Sequence, residues 1–495
     1  MLTPNLRLCL IACLGALGAG VTIYQVQRGW RLAGQSHASA QANLPLRAVQ
    51  FTPPTPRADG WLPVDAVLGL GRLSIQDGDR LFDTVDERWR DGYAPMLLEA
   101  SRFGKRHRQA VLNRLRPHAG RPIGVGRAGR DDAWQWLWRA DFKPHPDYAD
   151  FKAKLYARVD PRFANYFAKG RPATIRLDEV RWGGVVRDGI PPLDKPNMLS
   201  VAEATYLADT DVVFGIRVNG DARAYPKRIL AWHEMFKDTV GGISLCGVYC
   251  TLCGAMIPYE ATVNGVHHEL GTSGFLYRSN KLMYDAATES MWSSNLGEPV
   301  IGPLVGKGVR LKALPVVTTT WGAWRKLHPE TTVLSLDTGY RRNYGEGVAY
   351  AGYFATDKLM FDVPELPPPA DADGPVANKA EVLALRFGAA DGAGDPPLAI
   401  LADFLAKQRA YHGEHAGQAF VVLTDAHGAN RVYASGGRRF SWRGEQVVDE
   451  TGAAWGMSEQ ALIGPAGARL FRLPAHRAFW FGWQAAFPKT RLIGG

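Results

Sequence analysis

WGAWRKLHPET at residues 321–331 returns as WFGWQAAFPKT at residues 480–490. Trp321, Trp324, Pro329 and Thr331 answer Trp480, Trp483, Pro488 and Thr490 at identical spacing. Two Trp at i and i+3 share one face of a short helix, and Pro329 or Pro488 ends that helix. The shared face reads as packing surface in both copies, not as a binding box. Upstream, further pairs keep one order. Leu314-Pro315 answers Leu473-Pro474, Ile301-Gly302-Pro303 answers Ile463-Gly464-Pro465, and Met283-Tyr284-Asp285 with Trp292 answers Val447-Val448-Asp449 with Trp455. PKRILA at 226–231 is set against PLAILA at 397–402. Chance is a poor explanation of ordered matches over so long a stretch. They imply an internal duplication whose copies pack together and share a core.

The units read as mainly β. From Ala173 onward short apolar runs alternate with turn signals. Val212 to Val218 followed by Asn219-Gly220 is a strand and turn, and Ile257 to Val263, Asn264-Gly265 and Val266 to Leu270 read as a hairpin. Residues 61–172 differ. Gly78 to Trp89, Pro95 to Phe103 and Arg106 to Leu115 carry apolar residues at helical spacing, such as Leu81, Val85 and Trp89. Trp134, Trp136 and Trp138 alternate and fit helix or strand, with packing as their role. The expected fold class is α+β: a helical, solenoid-like N-terminal domain followed by an internally duplicated, mainly β module. The expected boundaries are a signal or membrane anchor at 1–31, a linker at 32–60, the helical domain at 61–172, a first β-rich unit at 173–363, a Pro-rich linker at 364–378 and a second β-rich unit at 379–495.

With 46% hydrophobic and 21% charged residues, a buried core is expected and extensive disorder is not. Net charge +10 favours attraction to an anionic membrane surface but identifies no partner. The densest basic stretch, Arg102, Lys105, Arg106, Arg108, Arg114 and Arg116, reads as a solvated helix face. No zinc-finger spacing, aromatic RNA-binding signature or P-loop accompanies it, which argues against nucleic acid. A protein partner through the helical domain is the other expected contact. Leu8 to Tyr24 is an uncharged run between Arg7 and the pair Arg28 and Arg31. It reads as a signal peptide or short anchor, so the expected location is extracytoplasmic (periplasmic), anchored or secreted. The flanking charges leave orientation open.

Outside that leader, which holds Cys9 and Cys13, the cysteines are Cys246, Cys250 and Cys253. Three is too few for a disulfide scaffold, and one thiol must stay free, bind something or pair with a partner. RLDEVRWGG at 176–184, Asp188-Gly189-Ile190-Pro191, Arg223-Ala224-Tyr225-Pro226, Trp232-His233-Glu234, Tyr249-Cys250-Thr251-Leu252-Cys253-Gly254 and Leu282-Met283-Tyr284-Asp285 carry a resemblance. Residues 173–363 resemble the uncharacterised domain-of-unknown-function family numbered 3179, and 376–494 look like its second half. The family pattern has Pro between the two Cys where this chain has Thr251. The resemblance implies the fold and export, and no established activity.

Cys-x2-Cys brings two sulfurs close enough for a disulfide or for one metal ion. Cys250 and Cys253 are therefore the expected catalytic pair or metal ligands, with His233 as third ligand or proton carrier. Copper or zinc suits two thiolates and an imidazole. His267, His268, Met256 and Cys246 are further ligand candidates. A structural disulfide and buried inert thiols stand beside these readings. In the duplication Cys250 falls opposite Asp425, Cys253 opposite Gly428 and His233 opposite Phe404, so only the first copy carries the chemistry. GTSGFLYRSN at 271–280 offers Ser273, Tyr277, Ser279 and Asn280 as donors on a pocket floor, or as a hydrogen-bonded loop. Asp285, matched by Asp449, reads as a turn or cap, and Glu234 as a helix-surface charge. Two functions remain in view: a thiol- or metal-dependent envelope protein, and a non-catalytic envelope scaffold or binding protein with a structural disulfide. A carbohydrate-binding module using exposed Trp is a third reading, weakened by the packing role of the paired Trp.

Overall fold

The computed structural model describes residues 51–369, 374–387 and 396–494. The apolar run at 8–24 and most of the expected 32–60 linker lie outside them. Among the described residues no helix is long and apolar enough to cross a membrane. The architecture is α+β.

Helices Ile75–Asp86, Tyr93–Ala100, Arg108–Leu115, Gly126–Arg139 and Tyr148–Tyr156 form the N-terminal part. The first begins earlier than its apolar spacing suggests because Ser74 caps it, its side chain accepting the Asp77 N–H. Trp134, Trp136 and Trp138 lie on the helix Gly126–Arg139. Trp134 and Trp138 stack at 5.9 Å, and the Arg181 guanidinium lies over both rings. These helices do not enclose a core of their own. Their apolar cluster takes in Phe275, Leu282, Tyr284, Met291 and Ile301 from the following sheet. Lys152, fully buried, donates to Glu99 at 2.7 Å and to the Val180 carbonyl at 2.8 Å, so an ammonium inside the helical layer depends on a strand outside it.

Two four-strand arrangements share one pairing scheme. In the first, Val212–Val218 and Asp221–Pro226 form the expected hairpin about Asn219-Gly220, flanked by antiparallel Val317–Thr320 and parallel Thr332–Leu334. In the second, Glu381–Leu385 and Leu398–Leu401 pair, flanked by antiparallel Ala475–Phe479 and parallel Arg491–Ile493. The paired-Trp helices, Trp321–Leu327 and Trp480–Ala486, make the crossover in each. Trp324 fills the space that Gly215 leaves open, where a Cβ would lie 2.4 Å from the ring, and its indole N–H bonds Thr331 at 2.8 Å. Between the first two and the last two strands of each arrangement the chain runs through a three-strand meander: Met235–Val240, Ile243–Cys250 and Ala255–Glu260 in the first, Ala410–His415, Gln418–Thr424 and Asn430–Ala434 in the second. Their first turns, Gly241-Gly242 and Ala416-Gly417, both have positive φ at both residues.

One sequence match falls out of step. Lys227–His233 is a helix, whereas Leu398–Leu401 is a strand with its helix at Ala402–Lys407. The two helices end alike, Glu234 N–H bonding Leu230 O and Gln408 N–H bonding Phe404 O. By position His233 therefore corresponds to Lys407, not to Phe404: similar apolar letters served a strand in one place and a helix in the other. The expected hairpin at 257–270 is shorter than its pattern. Only Thr262–Val263 and Val266–His267 pair about Asn264-Gly265, because the strand Ala255–Glu260 belongs to the meander.

A strap at 362–365 crosses the helix Gly126–Arg139. Gln135 donates to Val363 O at 2.7 Å and accepts the Glu365 N–H at 3.0 Å. Asp131 on the same helix is held up to about 6 by burial and by its hydrogen-bonded neighbour Asp362. A carboxyl raised in the folded state stabilises the protein at low pH and withdraws that stability as pH rises toward about 6. Stability measured by urea unfolding should therefore lose a component between pH 4 and 6, and Asp131→Asn should abolish that component.

Candidate functional site

Cys250 ends the strand Ile243–Cys250, and Cys253 lies in the turn before Ala255–Glu260. The two are joined in a disulfide with Cα atoms 5.3 Å apart, and Cys253 N–H bonds Cys250 O at 3.1 Å. Gly254 completes the turn at φ +62°, a conformation that favours glycine. Both sulfurs are covered, Cys250 being 4% and Cys253 1% exposed. The cover comes from the C-terminal half of the chain. Phe479 N–H bonds Cys253 O at 2.7 Å, the Phe479 ring lies against Gly254, and Tyr353 O–H bonds Leu252 O at 2.8 Å. Gly482 approaches so closely that a Cβ there would stand 2.9 Å from Cys253 Cβ.

Asn280 locks this seam. Its amide donates to Gly482 O at 2.9 Å while its oxygen accepts from Asn295 at 2.9 Å. Cys253 Sγ lies 3.5 Å from Ser279 O. The hydroxyls of Thr251 and Ser279 are buried and bond no other described protein group. Ser273 is 0% exposed and bonds the Leu282 carbonyl at 2.6 Å inside its own sheet. Tyr277 packs beside Glu179 and Arg278, and burial raises its phenol. Of the three expected cofactor contacts, then, Asn280 lies at the sulfur site, while Ser273 and Tyr277 serve the sheet Leu270–Tyr277 and its surroundings.

His233 and Cys250 flank a shared backbone bond, Tyr249 N–H to Glu234 O at 2.7 Å. The imidazole nevertheless turns elsewhere. Nδ1 meets Pro191 O at 2.9 Å and Nε2 meets the Tyr344 hydroxyl at 2.6 Å. A carbonyl only accepts, so Nδ1 carries the proton and Nε2 accepts from Tyr344. Burial pushes His233 down to about 4, which keeps it neutral. Both ring nitrogens are thus engaged. Among the described residues no group of three or more His, Cys, Asp or Glu is arranged to hold a metal ion. His268 is buried on Asp285 at 2.7 Å, His267 lies on the exposed short hairpin, and burial pushes the Cys246 thiol up to about 12.

Glu234 is not a surface charge. It ends its helix at φ +57° and turns inward to Lys281 Nζ at 2.6 Å, both residues being buried. Asp285 and Asp449 organise turns, as read: Asp285 accepts the N–H groups of Ala287 and Thr288, and Asp449 those of Thr451 and Ala453. Lys281 and Tyr344 escaped sequence reasoning. Lys281 directly follows Asn280, so adjacency was its available signal. Tyr344 lies 111 residues from His233 with no local pattern to mark it.

Comparison with known proteins adds a family and no activity. No curated protein matches the chain, and no solved structure matches it. Residues 187–490 match the model of a family described as a protein of unknown function, DUF3179. That span covers more than half of the chain and contains His233, the Cys-x2-Cys turn and the helix that covers this turn, so the chain belongs to the DUF3179 family.

Proposed function

We propose that the protein works outside the cytoplasm as a thiol–disulfide-dependent component of the cell envelope, with Cys250 and Cys253 as its redox pair. One observation carries the reading. We read the two meanders as copies of a duplicated unit, and the second holds the equivalent turn without sulfur. There Asp425 accepts the N–H groups of His427 at 2.9 Å and Ala429 at 3.0 Å. The turn itself therefore does not require a disulfide. A cross-link closing so short a loop also adds little stability, about 2 kcal/mol on chain-entropy grounds.

The exchange takes a dithiol partner protein. One partner thiolate attacks a sulfur of the pair, and Cys250 is the less covered of the two. A mixed disulfide forms, and Cys253 leaves as a thiolate that takes up a proton. The partner's second thiolate then attacks the mixed disulfide, releasing Cys250, which is protonated in turn. The pair gains two electrons and the partner leaves as a disulfide. Ser279 O stands where the reduced Cys253 can donate its S–H. Access requires Phe479 and Gly482 to move off the turn. Cys246, whose thiol is raised by burial, stays outside the exchange. His233 serves this site as a neutral, fixed neighbour. As a third ligand for copper or zinc it would have to surrender one of its present hydrogen bonds.

Peptide mapping after alkylation of the purified full chain should find Cys246 as the free body thiol and Cys250–Cys253 linked. Titration in thiol buffers should place the pair well above about −300 mV, within reach of dithiol proteins. A pair that resists reduction below that value is structural, and copper or zinc released in proportion to protein would establish a metal site instead. Gly482→Val should push the covering helix off Cys253, lower stability by about 1–3 kcal/mol and speed reduction by dithiothreitol. Unchanged reduction kinetics would show that this helix does not control access.

Burial pushes His233, His328 and His476 each down to about 4. A histidine depressed in the folded state contributes stability above its unfolded value that is lost as pH falls toward about 4, at up to about 1.4 kcal/mol per pH unit. In an Asp131→Asn background, stability should fall steeply between pH 6.5 and 4. A flat profile would show that these imidazoles are not kept neutral by burial.

A further inference from the structure

A cleft of about 570 Å³ opens between the segment 192–197 and the loop 337–340. It lies above the hydrogen-bond chain that begins at His233, and the disulfide takes no part in it. The direction of that chain is fixed from its buried end. His233 Nε2 accepts the Tyr344 O–H, so the Tyr344 oxygen accepts from Thr338 Oγ1 at 2.7 Å. Thr338 Oγ1 also accepts the Tyr340 N–H at 3.2 Å. Its remaining lone pair is left for the cleft that Thr338 lines. The Asn197 amide N–H₂ is spent on Asp337, to the carbonyl and the carboxylate at 3.3 Å each, which leaves the Asn197 oxygen as acceptor. The Asp194 side chain is 65% exposed. Asp194, Lys195, Asn197, Asp337 and Thr338 thus line a wall rich in acceptors, the Asp194 carboxylate lying 3.5 Å from Lys237 Nζ.

Tyr340 supplies the other half of a site. Its ring packs against the His233 imidazole at 5.3 Å between centroids, yet the residue remains 43% exposed. An exposed aromatic beside convergent acceptors is the arrangement that receives a molecule with an apolar C–H face and a rim of hydroxyl donors. The two carboxylates disfavour an anion, and Lys195 in the same lining, with Lys237 beside Asp194, disfavours a simple cation. We propose that this cleft is a saccharide-binding site, in which Tyr340 stacks on a sugar ring and Asp337, Asn197 and Thr338 accept hydrogen bonds from its hydroxyls. It is independent of the redox reading and uses neither cysteine; His233 enters only as the fixed ring beneath Tyr340.

The test is calorimetric titration of the full chain with maltotriose, cellotriose and chitotriose, and with spermidine as the amine probe. At least one trisaccharide should bind saturably. Tyr340→Ala and Asp337→Asn should each weaken it about tenfold, or about 1.4 kcal/mol. Tyr340→Phe should keep the affinity, because the ring face is retained, and an unchanged melting temperature in all three variants excludes misfolding. The proposal is overturned if none of the trisaccharides binds, if binding survives both substitutions, or if spermidine binds in their place.

Discussion

The close approach of the helix Trp480–Ala486 to the turn Cys250–Gly254 is the constraint on which the rest of the molecule depends. Two backbones meet there with no room for a side chain at Gly482, and Phe479 N–H must find the Cys253 carbonyl. Residues from both halves of the chain, among them Phe214, Tyr249, Cys253, Val382, Trp480 and Trp483, then fall into one apolar cluster. A second seam is ionic. Arg472 donates to Val316 O at 3.0 Å and pairs with Glu459, which also holds Arg431 at 2.7 Å and faces His328 at 3.7 Å. Charges this deeply buried are costly to leave unpaired, so this second seam depends on every one of its partners being in place.

That geometry makes the sulfur pair unlike an exposed thioredoxin-type site. No long helix follows the second cysteine, and the sulfurs lie beneath another part of the chain. Polar groups nevertheless gather beside them: Asn280 with Asn295, and the hydroxyls of Thr251 and Ser279.

Much of the fold was legible because it is local. Asn219-Gly220 fixes a hairpin through backbone geometry, and Pro329 and Pro488 end helices wherever they occur. The Trp pairs read correctly as packing, since a helix face with two indoles has to be covered. The slip at PKRILA against PLAILA shows where such reading stops. Short apolar strings fit strand and helix alike, and the tertiary neighbours decide between them. The site was legible in part. Cys250 and Cys253 do meet, and Asn280 does stand beside them. The partners of His233 were hidden, because Pro191 and Tyr344 reach it through folding over long sequence separations. Glu234 looked like a surface charge for the same reason, its partner Lys281 being 47 residues away.

The buried ammonium of Lys152 has a consequence for what counts as a separable piece of this protein. Its acceptor at Val180 lies before residue 187, where the family match begins, while Phe275 and Tyr284, inside the match, pack on Tyr156, Phe163 and Tyr166 outside it. A chain cut at the family's edge would expose that aromatic face to water, and would leave Lys152, Glu99 and Val180 together on the other piece. The span 187–490 of the family match thus ends short of its own apolar packing, and the helices before it form part of that span's wall.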